Sequence, residues 1–534
     1  IRLDTTMHNA HRSASMLDLL LYGKCRVEPR LQLMLNTAIV GAVTQDSLIT
    51  HAIARRESTE DQFTIAAKVF VDCTGDGRLG VEAQAPFRKG REARDAFDES
   101  FAPETADDHT LGSSLLFIGR ELDHAVPFTP PPWARKFTED DLKHRPHAQV
   151  GIDQGLEYGY WWLEWGGHLD TIKDNEAIRD ELLAILLGVW DHIKNGGDHG
   201  ADNWVLDWFG FLPGKRESRR FIGQYTLTQR DLQESRPFDD AIAYGGWPID
   251  THPPRGVDAS DESPATQRRL DYVYDIPLRS CVSAGPRNLM FAGRNISATH
   301  IAFASTRVMA TCAAIGQGVG TAAAHAVQHG IAPADLAAEP QIMTQIQQRL
   351  LRDDAYLIGA VNLDPADRAR DARVSASSAQ PNGGAAQVIS GVTRSVHGPR
   401  GAKPDRVTPG LHRWMSDPNA GLPAWIQLQW DKPVPVSEVQ LIFDTGMHRV
   451  LTLSHSDAYV DRMDWGRPQP ETVRDYTIEA KCGDGWHLLA EVKDNYQRRR
   501  IHNVNPPGEV SALRVTVTAT NGLDHARIFE IRAY

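Results

Sequence analysis

Apolar positions recur at helical spacing over residues 13–28. Met16, Leu17, Leu19, Leu20 and Leu21 carry the pattern and Pro29 ends it, which predicts a helix. Three extended stretches follow, Leu31–Val43, Leu48–Arg55 and Phe63–Cys73. The last closes as KVFVDCTGDG, an unbroken apolar run meeting a glycine-rich turn, the signature of a buried strand in a parallel sheet. Residues 109–120 read as another strand and 174–194 as a helix. Farther on, NLMFAG (288–293) is a short apolar strand. An alanine-rich helix follows it from about Thr306 to Val327, with Ser305 as its expected N-cap, and residues 333–356 read as helical.

After this point the period changes. AWIQLQW, SEVQLIFD, RDYTIEAK and ALRVTVTAT alternate apolar and polar residues, separated by Pro, Gly and Asp turns. That is the pattern of an all-β sandwich. The stretch ARVSASSAQPNGGAA (372–386) has linker composition. The expected division is therefore 1–124, a tryptophan-rich 125–285, 286–357, a linker over 358–386, and a β-module over 387–534. Eight of the thirteen tryptophans lie between Trp133 and Trp247, which sets the middle segment apart as a cap or substrate region.

A length of 534 residues calls for at least two domains. The formal charge of -12, from 69 acidic against 57 basic residues, excludes a general nucleic-acid binder, which needs a basic face. No apolar run reaches membrane-spanning length, so no membrane partner is expected. Five scattered cysteines fit isolated thiols and a reducing, cytoplasmic setting better than disulfides. Because the chain starts at Ile1, a secretory signal upstream stays open.

Gly75-Asp76-Gly77-Arg78-Leu79-Gly80 fits GxGxxG after a strand. A dinucleotide fingerprint would be followed by a second strand ending on an acidic residue. Here Pro86 and the charged FRKGREARD follow, so a plain structural turn is an equal reading. Taken together, VFVDCTGDG, NLMFAGRNISATHIAFASTRVMATCAAIGQGVGTAAAHAV, YWWLEWGG, VWDHIKN and FLPGKRESRRFIG resemble the FAD-dependent oxidoreductases of glutathione-reductase-like fold, a family often labelled xanthan lyase. The resemblance covers nearly all of residues 10–330. It implies an α/β, FAD/NAD(P)-binding Rossmann-type domain with a mixed cap and FAD as cofactor. The family's own GxGxxG unit is expected upstream of Ile1, so the first βαβ unit reads as missing, with a separate N-terminal segment to complete the site. PAWIQLQWDKPVPVSEVQLIFD and ALRVTVTATNGLDHARIFEIRAY resemble the discoidin-like, galactose-binding jelly roll, with Trp414, Tyr496 and Arg498 as candidate loop contacts.

By the same resemblance, Thr74, Gly75 and Asp76 line the cofactor from one strand end, and Gly293, Arg294 and Asn295 from the other. The helix start at Ser305, Thr306, Arg307 and Val308 faces the flavin edge where charge accumulates on reduction. His300 is placed to take the hydroxyl proton in an alcohol oxidation, although a lone histidine is as often structural. Arg216 and Arg219 are expected to orient an anionic or polyhydroxylated substrate, with Glu217 pinning them. Trp161 and Trp162 form either a sugar platform or a buried aromatic core. Gly316, Gly318 and Gly320 read as sites of close helix–sheet packing. Asp170, Asp191, His192 and His252 are weaker candidates, and no spacing suggests a metal site. The function expected is flavin-dependent oxidation of a hydroxyl on a carbohydrate-like small molecule or oligosaccharide. The alternatives are a non-catalytic carbohydrate-binding protein on a truncated FAD scaffold, or a polysaccharide lyase.

Overall fold

A computed structural model describes residues 14–147, 156–157, 159–396, 401–449, 451 and 467–534. The first position of the helix expected over 13–28 lies outside these residues. The chain divides into two units, one running up to Ile346 and the other from Gln347 to Tyr534.

The first unit opens with helix α1 (Ala14–Val27) and an antiparallel meander of β1 (Thr37–Gln45), β2 (Leu48–Arg56) and β3 (Asp61–Ala66). The strand expected over Phe63–Cys73 is two strands, because the chain changes partner midway. Through β3 it pairs with β2; at β4 (Phe70–Asp72) it pairs in parallel with β5 (Leu289–Phe291). Asn288 makes the switch, its carbonyl accepting from Phe70 N at 2.9 Å. Leu289, Met290 and Phe291 are fully buried, as the continuous apolar run requires.

Helix α2 (Arg78–Glu82) follows the GDG turn. A Cβ on Gly77 or Gly80 would fall 2.2 or 2.3 Å from the Phe221 ring, which itself stacks on Phe291 at 4.3 Å. The GxGxxG pattern therefore packs on an aromatic ring, the structural-turn reading. Between the two parallel strands lies the tryptophan-rich segment, with α3 (Glu139–Leu142) and α4 (Asn175–Asn195). Leu182, Ile185, Leu186, Val189 and Trp190 of α4 pack with Phe117, Tyr160, Trp162 and Trp204 into one apolar core.

The single helix expected from Thr306 is broken in two. Thr299 caps α5 (His300–Thr306), its Oγ1 accepting from Ala302 N at 3.1 Å. Val308 then precedes α6 (Met309–His329). Ser305 is thus no N-cap; it is buried in α5, donating to the Trp247 carbonyl at 2.6 Å. Of the three glycines of α6, only Gly318 is a packing site, where a Cβ would meet the Ile242 carbonyl at 2.6 Å. Gly316 and Gly320 face open space.

Helix α7 (Pro340–Arg352) spans the division. The second unit contains two antiparallel sheets built from β6 (Arg373–Ala376), β7 (Trp414–Met415), β8 (Ala424–Val434), β9 (Glu438–Phe443), β10 (Val473–Cys482), β11 (Gly485–Val492), β12 (Arg499–Asn503), β13 (Val510–Thr520) and β14 (Arg527–Ala533). The orders are β6-β8-β13-β10-β11 and β7-β14-β9-β12. Alternate residues of β8 and β13 enter a core with Trp414, Phe443, Tyr476 and Ile531, so this unit is a β-sandwich. The expected linker is partly β6, whose Val374 and Ala376 pack on that core. Trp414 is core too, donating to the Ser378 carbonyl, and Arg498 is held by Asp354 at 2.7 Å and the Phe443 carbonyl; of the expected loop contacts only Tyr496 is exposed. Among the described residues no helix is long and apolar enough to cross a membrane. The five cysteines are free thiols.

The packing of α2 on Phe221 carries a direct test. Gly80→Ala is expected to lower unfolding stability by about 1–3 kcal/mol in urea titrations, the cost of an overpacked contact. An unchanged midpoint would show that the turn does not bear on that ring.

Candidate active site

The parallel pair β4 and β5 delivers two loops to the same sheet edge, Cys73–Gly77 and Ala292–Asn295. Asp72, buried at the end of β4, shapes the first loop. Its Oδ1 accepts from Thr74 N at 2.9 Å and Thr74 Oγ1 at 2.7 Å, and its Oδ2 from Gly80 N at 2.8 Å. Its backbone carbonyl takes Asn295 Nδ2 at 3.0 Å, locking the two strand ends together. Asp76 then gathers cations: Lys215 Nζ at 2.7 Å and Arg294 Nη2 at 3.4 Å, with Ser218 Oγ at 2.9 Å. Burial works to raise the Asp76 carboxyl, but Lys215, Ser218 and Arg294 outweigh it and hold it below the usual carboxylate range. The structure therefore brings Thr74, Gly75, Asp76, Gly293, Arg294 and Asn295 to one place.

The segment Lys215–Arg220 connects this edge to a cleft of about 440 Å³ lined by His300, His252, Arg91, Phe101 and Thr251, among others. Arg219 stays with the strand ends, donating to the Asp76 carbonyl at 3.1 Å. Glu217 is wholly buried and does not pin Arg216 or Arg219. It faces His300 Nδ1 at 3.0 Å and Arg220 Nε at 3.0 Å, and accepts from Leu111 N at 2.9 Å. Burial would raise its pKa, but His300, Arg220 and the Leu111 N–H reverse the shift, so the carboxylate stays ionised. Arg220 is itself fully buried, donating to Glu92 at 2.8 Å, the Ala298 carbonyl at 2.9 Å and the Gly90 carbonyl.

Arg216 turns to a second carboxylate, Glu164, at 3.2 Å, and donates to Ser114 Oγ at 2.6 Å and the Trp161 carbonyl at 2.8 Å. Glu164 also takes His252 Nδ1 at 2.6 Å. The other nitrogen of His252 lies 3.3 Å from Asp250 Oδ2, which Arg307 Nη2 reaches at 3.2 Å. Burial pulls the His252 pKa down, yet Glu164 and Asp250 together push it above the ordinary imidazole value. The cleft thus presents two histidines of different character. His252 sits between two carboxylates that favour its charged form, whereas His300 has one buried carboxylate behind Nδ1.

Several expected residues lie elsewhere. Trp162 is core, its Nε1 donating to the Pro146 carbonyl at 3.1 Å, so it offers no sugar platform; Trp161 is half-buried, its ring T-shaped to that of His252 with centroids 5.9 Å apart. Arg216 and Arg219 are held by different partners and do not form one anion clamp. Thr306 ends α5 and Arg307 caps it, with Val308 leading into α6. Asp170 pairs with Lys89 and Asp191 with Lys136. Arg220, Glu164 and Asp250 carry no sequence motif of their own: Glu164 meets His252 and Arg216 only in the fold, Arg220 meets Glu92 128 residues away, and Asp250 meets Arg307 57 residues away. The only local hint was the apolar FIG that follows Arg220 and draws it inward.

The family model for FAD dependent oxidoreductases matches residues 2–350. No curated protein gives a significant match to the chain. Among solved structures, similarity extends to the family 32 carbohydrate-binding module of Clostridium perfringens NanJ, in complex with galactose. The identity is 15%, the match covers 31% of this chain and 94% of that one, and the TM-score is 0.22. The family 32 module of Streptococcus pneumoniae EndoD matches at 18% identity over 30% and 94% of the two chains, also with a TM-score of 0.22. With about two-thirds of its length matched by that family model, the chain belongs to the FAD-dependent oxidoreductases.

Proposed function

We propose that the protein oxidises a hydroxyl group of a carbohydrate-like substrate, with His300 taking the hydroxyl proton. The observation that carries this reading is the His300–Glu217 pair on the cleft wall. An ionised carboxylate at Nδ1 fixes the tautomer in which Nδ1 carries the hydrogen, leaving the Nε2 lone pair to accept a proton. As the imidazole becomes charged, Glu217 stabilises it from behind. The lining supplies Thr251, Ser263 and Thr266 hydroxyls, the Arg91 and Glu262 charges and the Phe101 ring, the mixture that a polyhydroxylated ring meets by hydrogen bonding and stacking.

FAD, when bound, supplies the hydride acceptor. The residues at the strand ends fit such a group. Gly293 has φ 120°, and a Cβ there would meet only Asn295 Oδ1, at 3.7 Å, so a ligand can approach the backbone closely. Asn295 Oδ1 and Arg307 Nε are buried polar atoms with no hydrogen-bond partner among the described residues. Thr74–Asp76, Gly293–Asn295 and Arg307 are the residues that would hold the cofactor. The sandwich is read as an accessory carbohydrate-binding module, from its sequence resemblance to the discoidin-like domains.

His252 has the opposite task. With Glu164 and Asp250 on its two nitrogens it stays cationic, a fixed positive group for orienting substrate hydroxyls rather than a base.

Two outcomes are expected. His300→Gln should cut turnover of sugars and polyols, followed by acceptor-dye reduction, by about 10²–10⁴-fold while leaving flavin content intact. Undiminished turnover would remove His300 from the chemistry, and unsaturated product formed without an acceptor would replace oxidation with lyase activity. The raised pKa of His252 gives the second. Its contribution to stability is fully present below about pH 6.5, its unfolded value, and is lost as pH rises through the folded value. Urea unfolding should therefore weaken toward alkaline pH in the wild type and flatten in His252→Gln; parallel profiles would contradict the assignment.

A further inference from the structure

The tryptophan-rich segment holds a second cluster of ionisable side chains, separate from the cleft. Glu139 is the first residue of α3, and His147 lies in the chain just beyond that helix. His192 sits on the last turn of α4, and His199 in the loop that leaves it. One ligand atom from each lies within 4.8 Å of every other. Glu139 Oε1 is 3.3 Å from both His192 Nε2 and His199 Nε2, and Oε2 is 3.3 Å from His147 Nε2. The three rings meet edge-on or tilted, with centroids 4.9–5.1 Å apart.

Hydrogen bonding within the protein accounts for only part of this arrangement. His147 Nδ1 is 2.6 Å from the Arg145 carbonyl, which makes Nδ1 the donor and turns the Nε2 lone pair toward the cluster. The His199 side chain is only 7% exposed, and among the described residues its Nε2 makes no hydrogen bond despite the nearby Glu139 oxygen. The His192 side chain is 2% exposed. Two nearly buried imidazoles thus compete for one carboxylate oxygen, and one of them is left without a bond. A buried nitrogen in that position is costly unless something accepts its lone pair.

We propose that Glu139, His147, His192 and His199 form a structural site for a zinc-class divalent cation. Three imidazole nitrogens and one carboxylate oxygen are a donor set that suits Zn²⁺, and four protein ligands close a tetrahedral site, leaving no position for a reacting water. Ligation at about 2.1 Å brings ligand atoms to roughly 3.4 Å of one another. Glu139, whose side chain is 64% exposed, has room to make that adjustment. The ion ties α3 and the chain after it to the end of α4, next to the core that Trp190 anchors. The sequence spacing, with seven residues between Glu139 and His147 and six between His192 and His199, hides the site because its two halves join only in the fold.

The test uses the full chain without an affinity tag, stripped with chelator and dialysed against Zn²⁺ alone. Metal content and thermal midpoint are then read side by side. One zinc per chain and a raised midpoint are expected. The His147→Gln/His199→Gln variant should bind at least tenfold more weakly and show no zinc-induced shift, and Glu139→Gln should be intermediate. Wild-type protein that takes up no zinc above the buffer level overturns the proposal whatever the variants do. So does uptake that the double substitution leaves unchanged.

Discussion

The first unit depends on one short charged run, Lys215–Arg220, four cations around a single carboxylate. Its side chains divide between two places. Lys215, Ser218 and Arg219 reach Asp76 at the strand ends, whereas Arg216, Glu217 and Arg220 turn to the carboxylates and imidazole behind the cleft. Six consecutive residues thus hold the candidate cofactor edge and the candidate proton acceptor in fixed relation. The arrangement is possible because almost every charge in the run has a partner. Buried ions are tolerated only when their desolvation is offset by close opposite charges and hydrogen bonds.

The same constraint explains how the two histidines of one cleft acquire different chemistry. Around His252 two carboxylates, Glu164 and Asp250, each face the imidazole and one arginine, Arg216 or Arg307. Around Glu217 the fully buried Arg220 supplies a second cation beside His300, and it shares that charge with Glu92. Environment, more than residue type, sets the chemistry open to each imidazole.

Much of this was legible along the chain because it rests on local patterns. The parallel strand β5 and the long helix α4 appear within a residue or two of where apolar spacing places them, and the period-two strands of the sandwich fall on the expected segments, with β8 running four residues past Trp430. The joining of Thr74–Asp76 with Gly293–Asn295 followed from the family resemblance. What spacing could not show were pairings across long separations. Sequence proximity predicts that Glu217 pins Arg216 and Arg219, but it turns to Arg220 and to His300, 83 residues on. The helix break before Met309 is not legible in the sequence because no proline or glycine marks Thr306–Val308. The Ser/Ala-rich stretch before the sandwich looked like a tether because its strand is only four residues long.

That short strand has a consequence for how the sandwich exists as a module. β6 lies along one side of β8, pairing from Arg373 opposite Gln429 to Ala376 opposite Ile426. Just upstream, Asp367 Oδ1 accepts from Ala533 N at 3.0 Å, fastening the last strand. A fragment begun at residue 387 would leave the β8 ladder uncovered, with its N–H and C=O groups free to recruit another chain, the usual origin of edge-to-edge association in β-proteins. The autonomous unit therefore begins before Asp367, and its upstream segment acts as a guard against self-association.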